Sequence, residues 1–159
     1  MTRSKIITTA AVAVTALTVL PGAGVSARSK KVTKITTTIE QYAQGAPNPS
    51  GIQFGLVRSS APLGKGLQYS SYTVTPPSAT SPATVTGRFK NAYDLGTTHG
   101  TFALTFPAPG ANVTYTGTIT FTGGSGRFRN IKGGGTIVCT TSDGGAHKLC
   151  TVHAKATGI

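Results

Sequence analysis

From residue 113 to 122 the chain alternates strictly: Thr holds every even position, and Val113, Tyr115, Gly117, Ile119 and Phe121 hold the odd ones. Successive side chains of an extended chain point to opposite faces, so this segment predicts a β-strand with one buried and one wet face. The pattern returns at 101–106, with Phe102, Leu104 and Phe106 inward. It returns again at 83–90, with Val85 and Phe89 inward and Arg88 and Lys90 outward. Further strands are expected at 32–42, 51–58, 67–75, 134–141 and 147–155. Turn formers separate them: Gly45-Ala46-Pro47-Asn48-Pro49, Pro76-Pro77, Asp94-Leu95-Gly96, and the stretches 62–66 and 107–110. No segment carries a helical period over the length of a long helix.

The count is eight strands joined by short links. None of the links can hold a βαβ crossover, so the pairing is expected to be antiparallel. An even number of strands suits an all-β, eight-stranded antiparallel up-and-down barrel, whose closure leaves no exposed sheet edge. A two-sheet β-sandwich is the alternative. The chain has no Trp, so the Cys–Trp–Cys pattern of immunoglobulin sandwiches is missing.

The first 27 residues read as a signal peptide, leaving 28–159 as one domain. Arg3 and Lys5 form a positive start, and 6–20 is an apolar run of 15 residues diluted by Thr8, Thr9, Thr15 and Thr18. Pro21 and Gly22 then break it, and Val25-Ser26-Ala27 offers a small-residue cleavage point before Arg28. A membrane anchor needs about 18 or more strongly apolar residues, so no transmembrane segment is expected after cleavage. The expected location is extracellular.

Export decides how Cys139 and Cys150 read: an even pair in an oxidising compartment predicts a disulfide. Gly144-Gly145 is a two-residue hairpin signal. With those as turn residues, opposite positions sum to 289, and Cys139 faces Cys150. A two-residue turn makes 139/150 a hydrogen-bonded pair with a Cα separation of about 5.5 Å, within disulfide reach. Two cysteines without a nearby His at ligand spacing do not suggest a metal site.

Composition narrows the chemistry. The 159 residues hold 15 Lys+Arg against three acids, Glu40, Asp94 and Asp143. Enzymes built on paired carboxylates and Ca²⁺ or Mg²⁺ cages are hard to assemble from three acids. Gly123-Gly124-Ser125-Gly126-Arg127 misses the nucleophile-elbow pattern at position 127, and Gly133-Gly134-Gly135 lacks the Lys of a phosphate loop. His147 and His153 lie about 20 Å apart along one strand face. His99 and Asp94 are placed in one loop, where they could form a polar dyad. Without Arg3 and Lys5 the mature chain keeps 13 cations and three acids, net +10. Lys30, Lys31 and Lys34 crowd its start, and Arg127, Arg129 and Lys132 follow the glycine run. Outside a cell such charge points to anionic cell-surface polymers, or else it serves solubility alone.

The segment 117–128, ending Gly123-Gly124-Ser125-Gly126-Arg127-Phe128 and running on through Asn130-Ile131-Lys132-Gly133, carries a family resemblance. It is similar to the G-G-T/S-G-K/R-F…G signature of allene oxide cyclase-like and dirigent-like barrels, which secreted bacterial-type proteins of unassigned role also carry. The specific likeness covers about 20 residues, and the resemblance implies an eight-stranded antiparallel barrel. In that reading the glycines supply positive φ for a tight strand reversal, and Phe128 plugs the barrel. Activity does not carry over, because the polar and acidic cavity groups of the plant enzymes have no match here. The leading expectation is a non-enzymatic extracellular binding or structural protein without a cofactor. The alternative is a dirigent-like or cyclase-like barrel acting on a small hydrophobic ligand. A plugged lumen favours the first, and an open apolar cavity with convergent polar groups favours the second.

Overall fold

The computed structural model describes residues 31–44, 49–107 and 110–159. The signal-peptide reading of 1–27, and Lys30, lie outside the described residues. The expected strands form: β1 (Thr33–Ala43), β2 (Ser50–Ser59), β3 (Lys65–Thr75), β4 (Ala83–Tyr93), β5 (Gly96–Phe106), β6 (Val113–Gly124), β7 (Lys132–Thr141) and β8 (His147–Thr157). Each pairs antiparallel with the next, and β8 pairs back onto β1, closing an up-and-down barrel. The pairing of Ile39 with Cys150 and of Lys34 with Lys155 rules out the two-sheet sandwich.

The strands are staggered as they go round. A row of neighbours starting at Lys34 passes through Lys155, Gly134, Thr120, Thr101, Arg88, Ser71 and Ile52. It meets β1 again at Gln44, ten residues further on. Such a stagger tilts strands against the barrel axis and sets the barrel's width. The width here is filled by side chains. Ile35, Ile39, Val57, Phe89, Ile119, Phe121 and Val152 form the centre, with Phe89 and Phe121 edge to face at 5.7 Å.

On β6 the expected alternation holds: Val113, Tyr115, Ile119 and Phe121 are buried, and Thr114, Thr116, Thr118, Thr120 and Thr122 are exposed. Alternation turns Gly117 inward, where a Cβ would lie 2.0 Å from the Ala103 carbonyl oxygen. Only a bare backbone lets β5 and β6 bend so closely.

One end of the barrel is plugged. The β6–β7 connection is not the expected tight reversal but the seven residues 125–131, with a 3₁₀ turn at Gly126–Phe128. The turn is sewn onto the β4–β5 connection: Ser125 N–H donates to the Thr97 carbonyl (3.0 Å) and Arg127 N–H to the Leu95 carbonyl (2.9 Å). Gly126 has φ +55°, and a Cβ there would meet the Leu95 oxygen at 2.5 Å. The folded-over loop drives Phe128 into the end of the lumen, fully buried and edge to face with Tyr93 at 5.9 Å. Ile131, also fully buried, completes the plug.

The disulfide Cys139–Cys150 is present and points into the barrel. Its register is the one that Gly144-Gly145 predicts, with Thr140 opposite Leu149, and both glycines have positive φ. The Cα separation is 3.9 Å rather than about 5.5 Å, nearer the spacing of non-hydrogen-bonded pairs. A side chain has replaced the backbone pairing expected at 143/146. The Asp143 carboxylate accepts the His147 N–H at 2.9 and 3.1 Å and the Thr141 hydroxyl at 2.7 Å.

Candidate ligand site at the barrel mouth

Among the described residues no plug fills the other end. A cavity of about 360 Å³ sits in the mouth, walled by Val74 of β3, Val85 of β4, Phe106 of β5 and Val113 of β6. Three polar side chains converge on it: Tyr72, Tyr115 and Lys148. A larger volume, about 770 Å³, is a shallow concavity of the outer wall over β2–β5 among Ser71, Thr73, Thr86 and Arg88. Ile52 and Phe102 also line it, but it is open to solvent, so the more enclosed mouth is the better-formed site.

Parity along the strands puts the mouth residues there. On β8 the even positions Cys150, Val152, Ala154 and Ala156 are buried, and Lys148 continues that row inward. Its Nζ lies 5.4 Å from the Tyr72 ring centroid and 5.2 Å from that of Tyr115. The Phe106 ring packs against Tyr115 at 4.9 Å. The Gly144-Gly145 turn forms part of the rim, and a Cβ on Gly145 would lie 3.3 Å from Lys148 Cε.

Burial pushes the Lys148 ammonium down to about 8, against the opposing pull of Asp143. Desolvation raises the Tyr72 and Tyr115 phenols above their ordinary value. A cation–π contact offsets part of the cost of burying an ammonium, about 0.5–2 kcal/mol. No carboxylate pairs with it: Glu40 faces outward, Asp94 belongs to the opposite end, and Asp143 is held in its turn. The mouth thus holds a largely buried cation that feels Asp143 at a distance but forms no direct ion pair with any of the three acidic side chains.

Below the cavity the lumen closes. Gln41 Nε2 donates to Gln68 Oε1 (2.5 Å) and Ser70 Oγ (3.4 Å), and Gln53 is buried beside them. Only about 20 Å³ remains there. The described residues therefore form a cup, with a cavity at one end and Phe128 as the stopper at the other.

The other residues singled out from sequence fall elsewhere. Gly123 and Gly124 end β6, and Ser125 and Gly126 start the plugging turn. Arg127, Arg129, Lys132, Lys31 and Lys34 are exposed around the plugged end, where Lys132 Nζ donates to the Thr122 carbonyl. His99 is not in a loop with Asp94. It lies on β5, facing outward opposite Lys90, because β5 starts already at Gly96. His147 stacks on Tyr42 at 4.7 Å, with Nε2 3.3 Å from Glu40. No local motif in the sequence marks Lys148, Tyr72 and Tyr115 as site residues. The hairpin register already contained the signal for Lys148, which shares the parity of Cys150.

Comparison with protein-family models, with curated proteins and with solved structures returns no match to this chain.

Proposed function

We propose that this chain is a secreted, non-enzymatic binding barrel whose mouth holds a small apolar molecule with an anionic head. The observation that carries the reading is the inward Lys148, unpaired by any carboxylate, at the floor of an apolar cavity. A buried charge is costly without a partner, so a ligand carboxylate beside Nζ would supply what the fold lacks. The Tyr72 and Tyr115 hydroxyls are available as further donors. The cavity lies at the small end of the roughly 300–1,000 Å³ range of ligand pockets, which suits a medium chain or a single aromatic system. The resemblance to allene oxide cyclase-like and dirigent-like barrels agrees with an apolar ligand, but the mouth lacks a carboxylate for acid–base work. Calorimetric titration with decanoate and with decanol tests the reading. Decanoate should bind at least about tenfold more tightly, a difference of about 1.4 kcal/mol, and Lys148→Met should erase the preference. Equal affinities unaffected by that substitution, or no binding of either, would refute it.

A second reading concerns the plugged end and rests on the segregation of charge. Lys34, Lys65, Arg127, Arg129, Lys132 and Lys155 all lie near that end, with Asp94 as the one acidic side chain there. Glu40 and Asp143 belong to the mouth half. A one-sided field of this kind draws anionic polymers, and it would leave the mouth free for its ligand. Binding to a polyphosphate should weaken steeply with salt. Replacing Arg127, Arg129 and Lys132 by Gln should flatten that slope with the fold intact, and an unchanged slope would leave the charge to solubility.

A further inference from the structure

On β2 and β3 the usual amphipathic order is inverted. Gln53, Gln68 and Ser70 point into the barrel and are buried, while Phe54, Leu56, Leu67 and Tyr69 point out. The register makes these outward side chains neighbours. Tyr42 stands opposite Phe54 and Phe54 opposite Tyr69, and in the next row Leu56 stands opposite Leu67. Leu149 adjoins across Glu40. All six are 44–63% exposed, and the Phe54 and Tyr69 rings lie 5.3 Å apart. Single exposed apolar residues are ordinary on any surface, but a contiguous group of this size marks an interface. The band does not encircle the barrel: the outer face of β6 is threonine, and Arg88 and Lys90 stand on β4. A bilayer would require apolar residues all round, so the patch fits a partner on one side.

We propose that this face is the interface between two copies of the chain, related by a two-fold axis running along the strands between β2 and β3. Charge complementarity argues for a second copy. Glu40 stands on β1 between Leu56 and Leu149, its carboxylate accepting the Tyr42 hydroxyl at 2.7 Å and lying 3.3 Å from His147 Nε2, and Lys90 lies on β4 at the far margin, opposite Tyr69. The axis exchanges β1 with β4 across the interface, so Glu40 of each copy meets the Lys90 side of its partner, with Phe54 and Leu67 buried between. Six half-exposed side chains, at roughly 150–250 Å² for a large ring and less for Leu, offer on the order of 500 Å² of apolar surface per copy. With the polar margin, that approaches the roughly 800 Å² per partner of a standard interface.

Sedimentation of the full exported chain tests the proposal, up to about 100 μM, a range that covers micromolar dissociation constants. The chain should run as a dimer at the upper concentrations. Leu67→Arg, on an outward position that packs nothing inside the barrel, should give a monomer with an unchanged circular-dichroism melt. Glu40→Lys and Lys90→Glu should each weaken the dimer at least about tenfold, and the double variant should restore it. A wild-type monomer throughout the range, or a dimer indifferent to Leu67→Arg, overturns the proposal. A double variant that stays monomeric overturns the two-fold arrangement.

Discussion

Replacing Lys148 by Met should make the barrel more stable at neutral pH and remove a rise in stability at alkaline pH. Burial lowers the ammonium from 10.5 to about 8, and at 1.36 kcal/mol per unit this amounts to about 3 kcal/mol held against the folded state. Below pH 8 both folded and unfolded chains carry the proton, so the whole desolvation cost is present. Between about pH 8 and 10.5 the folded chain has released a proton that the unfolded chain still binds. Stability therefore climbs with pH, by at most about 1.4 kcal/mol per unit. Tyr72, Tyr93 and Tyr115, raised from 10.0 by desolvation, act in the opposite direction above pH 10. The useful window is accordingly about 8 to 10, within which the wild type should gain about 2 kcal/mol. Urea unfolding of wild type and Lys148→Met at several pH values, disulfide intact, measures both quantities. Their difference cancels every other titrating group. Met approximates the length of the lysine stem without its charge, so the variant should be about 3 kcal/mol more stable at pH 7, converging on the wild type near pH 10. Two parallel stability–pH curves would refute the argument, because Lys148 would then be solvated in the folded state.

Phe128→Ala should cost about 3–5 kcal/mol in urea unfolding, since the ring is fully buried and the plug cannot collapse around its loss; a cost under about 1 kcal/mol would show the end to be loosely packed. Intact mass spectrometry should find the oxidised chain two hydrogens lighter than its reduced form, and reduction of Cys139–Cys150 should lower stability by about 3 kcal/mol for so short a loop. Gly126→Ala should destabilise by at least about 1–2 kcal/mol, because φ is +55° and an L side chain is disfavoured there. N-terminal sequencing of secreted material should begin near Arg28, and retention of Met1 would remove the signal-peptide reading.

Much of this barrel could be read from single strands and single turns. Alternation is a property of an extended backbone, so the threonines of β6 were bound to face one way and Tyr115, Ile119 and Phe121 the other. The Gly144-Gly145 turn fixed which residue of β7 meets which of β8, and with that the disulfide. Eight strands without crossovers left few ways to hide the sheet edges, and closure of β8 onto β1 was the one adopted. The alternation and the hairpin register depend on neighbours within a few residues, where local geometry dominates.

Only the closed, staggered barrel decided the rest. In β2 the spacing of Ile52, Phe54 and Leu56 marks one apolar face, but the pairing with β1 and β3 turned Gln53 and Val57 inward instead. Which face of an alternating strand is buried depends on the register of both neighbours at once, and a slip of one residue reverses it. Lys148 looks in sequence like any cation after a turn. Its burial and lowered titration come from Tyr72 and Tyr115, which lie on β3 and β6 and reach it only through barrel closure. Likewise the segregation of Lys34, Lys132 and Lys155 at one end follows from strand direction, which places both chain termini of the barrel and its β6–β7 connection on the same side. Desolvation and field are sums over everything nearby in space, and a sequence orders residues only along the chain.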